Sequence, residues 1–384
     1  MDEILGKAQA AWPSARALLR KLVECESPSE DAAAVTRFME LLAEETRDCA
    51  SAKLVKMPRA GRCLLLTFLL PGPGRKKKPG LLAVGHGDTV WPAGTLRQMP
   101  WREADGRIFG PGVLDMKSGL AFFVTAMRLL RDMDVPVARA VRMWVVSDEE
   151  TGSADSRAHT ERLALESAAA LVLEPGTGLE GKLKTARKGV GAYTVRVRGR
   201  KAHAGVDFSA GANAIVELAR QIERIAAFTD LKKGLTVNPG IVRGGTRTNV
   251  VPDEAEAQVD IRVARLRDAA GIDRRFRALR PVDRRCSIEV TGGLNRPPME
   301  RTRKVAALFR AAQKIARERL GAELEESFTG GGSDGNFTAA LGVPTLDGLG
   351  GVGEGAHAPQ ESILTAPAAQ RIALLAHLVR HLGQ

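Results

Sequence analysis

Apolar residues recur at helical spacing over residues 12–24 and again over 32–48, and Asp31 stands just before the second run, where its carboxylate can cap the first turn. Two helices therefore open the chain. Cys63 to Leu70 and Leu81 to Gly85 are apolar runs of strand length. The Pro-, Gly- and Lys-rich segment 71–80 between them reads as a turn, which makes the run Arg75-Lys76-Lys77-Lys78 a hairpin tip. Ser118 to Met133 returns to helical spacing, with Leu120, Phe123, Val124, Met127 and Leu130 on one face, and Ala140 to Ser147 reads as a buried strand. Strands alternating with helices predict an α/β layer fold.

From about Lys182 the order changes to strand (Gly191–Arg198), helix (Asn213–Phe228), strand (Leu235–Val242), strand (Ala255–Val263), helix (Asp268–Leu279) and strand (Cys286–Thr291). This is the βαββαβ order of a ferredoxin-like α+β sandwich. A helix from Arg301 to Leu320, Gly-rich loops and a last helix, Ala366 to His381, then restore the α/β pattern. The predicted organisation is one α/β domain made of residues 1–180 and 297–384, with a second domain, 181–296, inserted into it.

With 384 residues, 44% of them apolar, the chain is long enough for two cores, and at 4% aromatic those cores must be built mainly from Ala, Leu and Val. The formal net charge of +12 raises a nucleic-acid or membrane-surface reading. The basic residues are spread among acids, however, and the clusters Arg75–Lys78 and Arg274–Arg285 lack interleaved aromatics for base stacking. A solvated surface, with long-range steering of an anionic small substrate, is the better reading, and no nucleic acid is expected as a partner. Cys25, Cys49, Cys63 and Cys286 form no CxxC pair and no disulfide framework. No 18-residue apolar stretch occurs, and the first residues carry acids instead of an apolar leader. A cytoplasmic protein without a membrane partner is expected.

Two of the six histidines sit in Gly-rich loops: His86 in Gly85-His86-Gly87-Asp88, after an apolar strand, and His357 in Glu354-Gly355-Ala356-His357. His159, His377 and His381 fall on predicted helices and read as ordinary helix residues. Asp115 precedes a helix, where an N-cap is the plain alternative. Glu149-Glu150 follow an apolar run, and adjacent acids there repel each other unless a cation compensates. In an extended segment their side chains face opposite ways, so one can bind metal while the other stays available as a base. Glu174 ends another buried run. Two histidines and several carboxylates at the strand ends of one sheet make a candidate metal crevice.

The motifs resemble a known family, the zinc exopeptidases and deacylases that include acetylornithine deacetylase, succinyl-diaminopimelate desuccinylase, aminoacylase and glutamate carboxypeptidase. The likeness rests on His86-Gly87-Asp88-Thr89-Val90, Gly110 to Gly119, Asp148-Glu149-Glu150-Thr151-Gly152-Ser153 and Leu173-Glu174-Pro175. It continues in Lys201-Ala202-His203-Ala204-Gly205, Thr248-Asn249-Val250-Val251-Pro252, Gly330-Gly331-Gly332-Ser333-Asp334 and His357. These stand in the family's order along nearly the whole chain.

The resemblance implies an α/β/α catalytic domain with a mixed sheet, an inserted ferredoxin-like lid that dimerises, and two zinc ions per subunit, replaceable by cobalt or manganese. In that scheme Asp115 bridges the metals, His86 and Glu174 complete one site, and Glu150 and His357 the other. Asp88 takes the ring N–H of His86, Glu149 is the general base, and His203 donates to the oxyanion from the neighbouring subunit of a homodimer.

The likeness is strongest to the glutamate carboxypeptidases, through Lys182, Thr329, Arg262 and Arg296, with Asn249 assisting in carboxylate binding. One departure is Ser333-Asp334, where those enzymes carry Thr-Asp. The implied activity is hydrolysis of the amide bond of N-acyl amino acids or short peptides with a free carboxylate, releasing C-terminal glutamate. A deacylase of the acetylornithine or aminoacylase type shares every metal residue. A non-catalytic peptide-binding protein is disfavoured, because Glu149 and all five ligand positions are present.

Overall fold

The computed structural model describes residues 2–72 and 79–384, and the Arg75–Lys78 run lies outside them. It divides into two compact units: residues 1–186, 301–329 and 333–384 form the first, and 187–300 with 330–332 the second.

Helix α1 (Glu3–Glu24) starts nine residues before the run 12–24 read from the pattern, capped by Asp2, and it accommodates Pro13 in its interior. Helix α2 (Ala32–Glu45) follows, with the Asp31 carboxylate accepting from the N–H groups of Ala33 and Ala34. The rest of the first segment comprises β1 (Ala50–Lys56), β2 (Arg62–Phe68), β3 (Gly80–His86), β4 (Arg102–Ala104), β5 (Arg107–Phe109), α3 (Ser118–Asp132), β6 (Val141–Val146), α4 (Arg157–Leu165), β7 (Ser167–Val172) and β8 (Leu183–Arg187).

The main sheet has the order β1-β2-β6-β3-β7, closed by the short strand Thr345–Leu346. The expected hairpin of β2 with β3 is not formed. Strand β6 lies between them, antiparallel to β2 and parallel to β3, and the hairpin partner of β2 is β1, whose mixed sequence Ala-Ser-Ala-Lys-Leu-Val-Lys carries little strand signal. Sheet alternation explains how both faces are covered. Leu81, Ala83, Val141, Met143, Val145, Ala169 and Leu171 point into a core shared with α1, α2 and α3. Leu82, Val84, Trp144, Val146 and Ala170 point the other way, onto Leu163 and Ala164 of α4. The unit is thus an α/β/α sandwich, and β3, β6 and β7 are parallel, with their C-terminal ends on one edge.

The second unit holds β9 (Gly189–Arg198), β10 (Ala202–His203), α5 (Ala214–Ala226), β11 (Thr236–Gly244), β12 (Val250–Val251), β13 (Glu254–Val263), α6 (Leu266–Arg277) and β14 (Ser287–Arg296). Its antiparallel sheet runs β11-β13-β9-β14, the strand order of a ferredoxin-like fold. Tyr193, Val195, Val197, Val259 and Ile261 face Leu218, Ile225, Ile272 and Phe276 of the two helices. The unit begins later than residue 181 because β8 stays with the first unit, paired with β15 (Glu326–Thr329).

The chain returns to the first unit with α7 (Arg303–Ile315), β15, α8 (Gly335–Ala340), β16 (Thr345–Leu346), β17 (Gly353–Glu354), β18 (Ser362–Leu364) and α9 (Ala368–Leu382). Strands β17, β18, β5 and β4 form a small antiparallel sheet. Among the described residues no helix is long and apolar enough to cross a membrane.

Candidate metal centre and active site

His86 closes β3, and Gly87 after it passes so near Phe38 that a Cβ would fall 2.6 Å from the ring. Only glycine lets the chain turn there against the α2 core. The ring Nδ1 of His86 lies 2.8 Å from the main-chain carbonyl oxygen of Asp88. Since a carbonyl only accepts, Nδ1 carries the proton and Nε2 is the atom presented to a ligand. That differs from the expected pairing with the Asp88 carboxylate, whose nearest oxygen is 3.6 Å away. The Asp88 carboxylate instead accepts from Ser29 Oγ (2.8 Å) and from the main-chain N–H groups of Glu149 and Glu150 (3.2 Å each). Its role is to hold the turn after β6.

That turn is a second correction to the pattern reading. Glu149 and Glu150 are not in extended backbone: Gly152 N–H donates to the Glu149 carbonyl and Ser153 N–H to that of Asp148.

Asp115 sits in the tight segment Val113–Lys117 leading into α3, with φ −113° and ψ 92°, away from helical values. Its two carboxylate oxygens serve different partners. Oδ1 lies 3.2 Å from His86 Nε2, and Oδ2 lies 3.4 Å from His357 Nε2. Glu174, two residues past β7, places Oε1 at 3.7 Å from His86 Nε2. Glu150 Oε1 lies 3.1 Å from His357 Nε2. Potential ligand atoms of His86, Asp115 and Glu150 all fall within 4.8 Å of one another. His357, in the β17–β18 connection, has φ 61°, a left-handed conformation unusual outside glycine.

The electrostatics follow from so many carboxylates at one edge. Burial opposes charge on His86, yet the hydrogen bond and charge of Asp115, with Asp88 and Glu149, raise its pKa well above the ordinary imidazole value. Hydrogen bonds that Asp115 and Glu150 accept from its ring carry His357 up to about 10. Burial would raise the Asp115 carboxyl, but the two imidazoles drive it below the usual carboxylate range. Without another cation, the carboxylates thus hold protons on both histidines. Imidazole and carboxylate donors are also the set that suits zinc, cobalt or manganese, so a dication fits where those protons sit.

Of the other expected residues, Lys182 and Thr329 lie in the first unit, Thr329 at the end of β15. Lys182 Nζ is ion-paired with Glu325 Oε2 at 2.5 Å, a partner that the sequence reading did not foresee. Arg262, Asn249, Arg296 and His203 belong to the second unit. Arg262 is held by both oxygens of Asp260, at 3.0 and 3.1 Å. Asn249 is exposed, and its carbonyl accepts from Ala204 N–H. Arg296 is buried, donating to Asn295 Oδ1 at 3.1 Å, with Gly332 so close that a Cβ there would meet Arg296 Cδ at 2.9 Å. His203 is exposed, and its Nδ1 accepts from the N–H groups of Gly205 and Val206, at 3.1 Å each. The proton of the neutral ring is therefore on Nε2.

The sequence reading missed two buried ionic side chains. Glu361 accepts four N–H groups around the Asp115 loop. Arg371 of α9 donates to the carbonyls of Gly350, Gly181 and Gly348, and Gly350 N–H in turn donates to the carbonyl of Glu174. Nothing in a single sequence separates either from a surface residue of the same type.

Over its full length the chain is 28% identical, across 386 residues, to carboxypeptidase G2 of Pseudomonas sp. strain RS-16, covering 92% of that protein. A tripeptidase from Staphylococcus aureus superposes with a TM-score of 0.78 at 20% identity, covering 97% of this chain and 98% of its own. A dinuclear metal-binding peptidase of the M20 family from Bacillus subtilis superposes with a TM-score of 0.67 at 16% identity, covering 98% of this chain and 99% of its own. Residues 82–381, most of both units, match peptidase family M20/M25/M40, and the chain belongs to that family.

Proposed function

We propose that the protein is a two-zinc hydrolase of the amide bond in N-acyl amino acids or short peptides bearing a free carboxylate, acting as a carboxypeptidase that releases C-terminal glutamate. One observation carries the reading: the two oxygens of Asp115 face two separate imidazoles, at 3.2 and 3.4 Å, as a bridging carboxylate must. The similarity to carboxypeptidase G2 supports the substrate class. Asp115 would bridge, with His86 and Glu174 holding one zinc and Glu150 and His357 the other; cobalt or manganese would serve in the same donor set. The metal pair supplies, when bound, a polarised scissile carbonyl and a water of lowered pKa.

Glu149, fixed by its own N–H on Asp88, accepts the proton of the attacking water on its carboxylate and returns it to the departing amine nitrogen. Arg296 binds the substrate's free carboxylate, with Arg262, Asn249 and Thr329 assisting, since a guanidinium fork matches a carboxylate. Lys182 reaches a glutamate side chain by exchanging its Glu325 partner. His203 donates its Nε2–H to the oxyanion in a homodimer formed through the inserted unit. The exposed apolar residues Ile241 and Val242 on edge strand β11, and Ile215 and Val216 on α5, support such a contact. Four cysteines without disulfide partners fit a reducing cytoplasm.

The test is turnover of N-acyl-glutamate, N-acyl-ornithine, N-acyl-aliphatic and dipeptide substrates by dialysed protein before and after reloading with zinc. Preference for acyl-glutamate that appears only with metal is expected. Preference for acyl-ornithine would establish a deacylase, and chelator-insensitive turnover would overturn the metal reading.

A further inference from the structure

Three segments that carry proposed metal ligands are joined by one carboxylate that coordinates nothing. Glu361 is fully buried. Its Oε1 accepts from the N–H groups of Leu114 (2.9 Å) and Asp115 (3.0 Å), and its Oε2 from Gly112 N–H (2.9 Å) and Trp91 Nε1–H (2.8 Å). Strand pairing explains how it arrives there. Ser362, the next residue, pairs with Phe109 of β5 and with Glu354 of β17, so Glu361 lies beside the start of the Gly110–Asp115 segment. It also closes the turn that carries His357, its N–H donating to the Ala358 carbonyl at 2.9 Å. Through Trp91 it reaches the segment that begins at His86 and Asp88.

We propose that Glu361 is a positioning residue that preorganises the metal site, fixing Asp115 relative to His357 and His86 and thereby setting metal affinity. The inference rests on the two-metal reading above. Each oxygen of Glu361 meets two donors and no acceptor. An amide at this position must therefore turn its NH2 toward one donor pair, losing two bonds and opposing donor to donor. Groups that orient metal ligands from behind typically change affinity by about 10–100-fold when altered.

The experiment measures cobalt and zinc dissociation constants by chelator competition, and the visible spectrum of the cobalt-loaded protein, for wild type, Glu361→Gln, Trp91→Phe and the double variant. Expected are a loss of about 10–100-fold in affinity with an altered cobalt spectrum for Glu361→Gln, and a smaller loss for Trp91→Phe. The double variant should be no worse than Glu361→Gln, because removing the indole N–H relieves one of the opposed donors. A purely structural role would lower the melting temperature of the metal-free protein and leave the cobalt spectrum and dissociation constants of the folded fraction unchanged; that result overturns the proposal. If Glu361→Gln does not fold, Trp91→Phe decides, and wild-type affinity and spectrum there refute it. A wild-type protein that takes up no second metal refutes the two-metal reading itself, and this inference with it.

Discussion

Asp88→Asn distinguishes the structure's account of Asp88 from the pairing that the sequence implied. The carboxylate accepts three hydrogen bonds, from Ser29 Oγ and from the main chain of Glu149 and Glu150, one N–H on each oxygen. Asparagine keeps the volume but must place its NH2 against one of those N–H groups. A buried donor left facing a donor costs about 1–3 kcal/mol. That penalty falls on the turn carrying Glu149 and Glu150, and at about 1.4 kcal/mol per tenfold it lowers turnover by roughly 10- to 100-fold. The ring N–H of His86 donates to the Asp88 main-chain carbonyl, which the substitution leaves in place, so any loss of zinc affinity should come through the displaced Glu150 and be smaller than the loss of turnover. Steady-state turnover of zinc-saturated protein, with metal content measured on the same samples, separates the two effects. Wild-type turnover would refute the turn-holding role. Lost zinc with normal turnover at saturation would show that the carboxylate acts on metal binding and not on the orientation of Glu149.

Glu149→Gln should retain metal and fold while turnover falls by at least ~10²–10⁴, measured with metal content, because the amide cannot accept the water's proton. Gly119→Ala should destabilise the protein by about 1–3 kcal/mol in denaturant titration and weaken zinc binding, since the added Cβ would overlap the Leu173 carbonyl oxygen beside Glu174. Asp48 is held down to about 2, chiefly by hydrogen bonds from Arg128 and then Arg131 against the opposing effect of burial. A depressed carboxyl stabilises above its unfolded value near 4 and loses that contribution as pH falls toward 2. The melting temperature of Asp48→Asn should therefore lie below wild type at neutral pH, by the equivalent of about 1 kcal/mol after solvent screening, and converge with it in acid. A gap that is constant with pH would assign the effect to something other than this charge.

The α/β layering and the ferredoxin-like insert were legible because apolar periodicity records which faces are buried. Leu81–Gly85 is apolar throughout, and Val141–Val146 is apolar but for Arg142, because each is covered on both faces. Strand order was not legible from the same signal. A hairpin of β2 with β3 satisfies the pattern as well as the observed insertion of β6 does, and β1, largely exposed and carrying Ser51, Lys53 and Lys56, announces itself weakly. Among the proposed ligands, His86 and His357 stood out through their glycine-rich settings, where a residue such as Gly87 marks a close backbone approach, and Glu150 and Glu174 through the apolar runs before them. Glu361 and Arg371 had no such setting. Their partners are main-chain groups of distant segments, and main-chain contacts leave no trace in residue identity.

What divides the acids of this site is the sign of what they face. Asp88 and Glu361 are buried, which pushes both carboxyls up, Asp88 to about 6, and both accept from N–H or O–H donors on each oxygen. Asp115 and Glu150 meet imidazoles, and the consequence is the elevated proton affinity of His86 and His357. A histidine raised to about 10 beside two carboxylates is holding the place of a positive charge, and a metal that supplies that charge releases the proton. The donor-facing acids then read as framework and the imidazole-facing acids as the proposed ligands, a division that spacing in the sequence does not contain, because Asp88 and Asp115 carry the same side chain. It also fixes the direction of one measurable quantity: zinc uptake should liberate protons at neutral pH, and the affinity should rise with pH until both histidines have given theirs up.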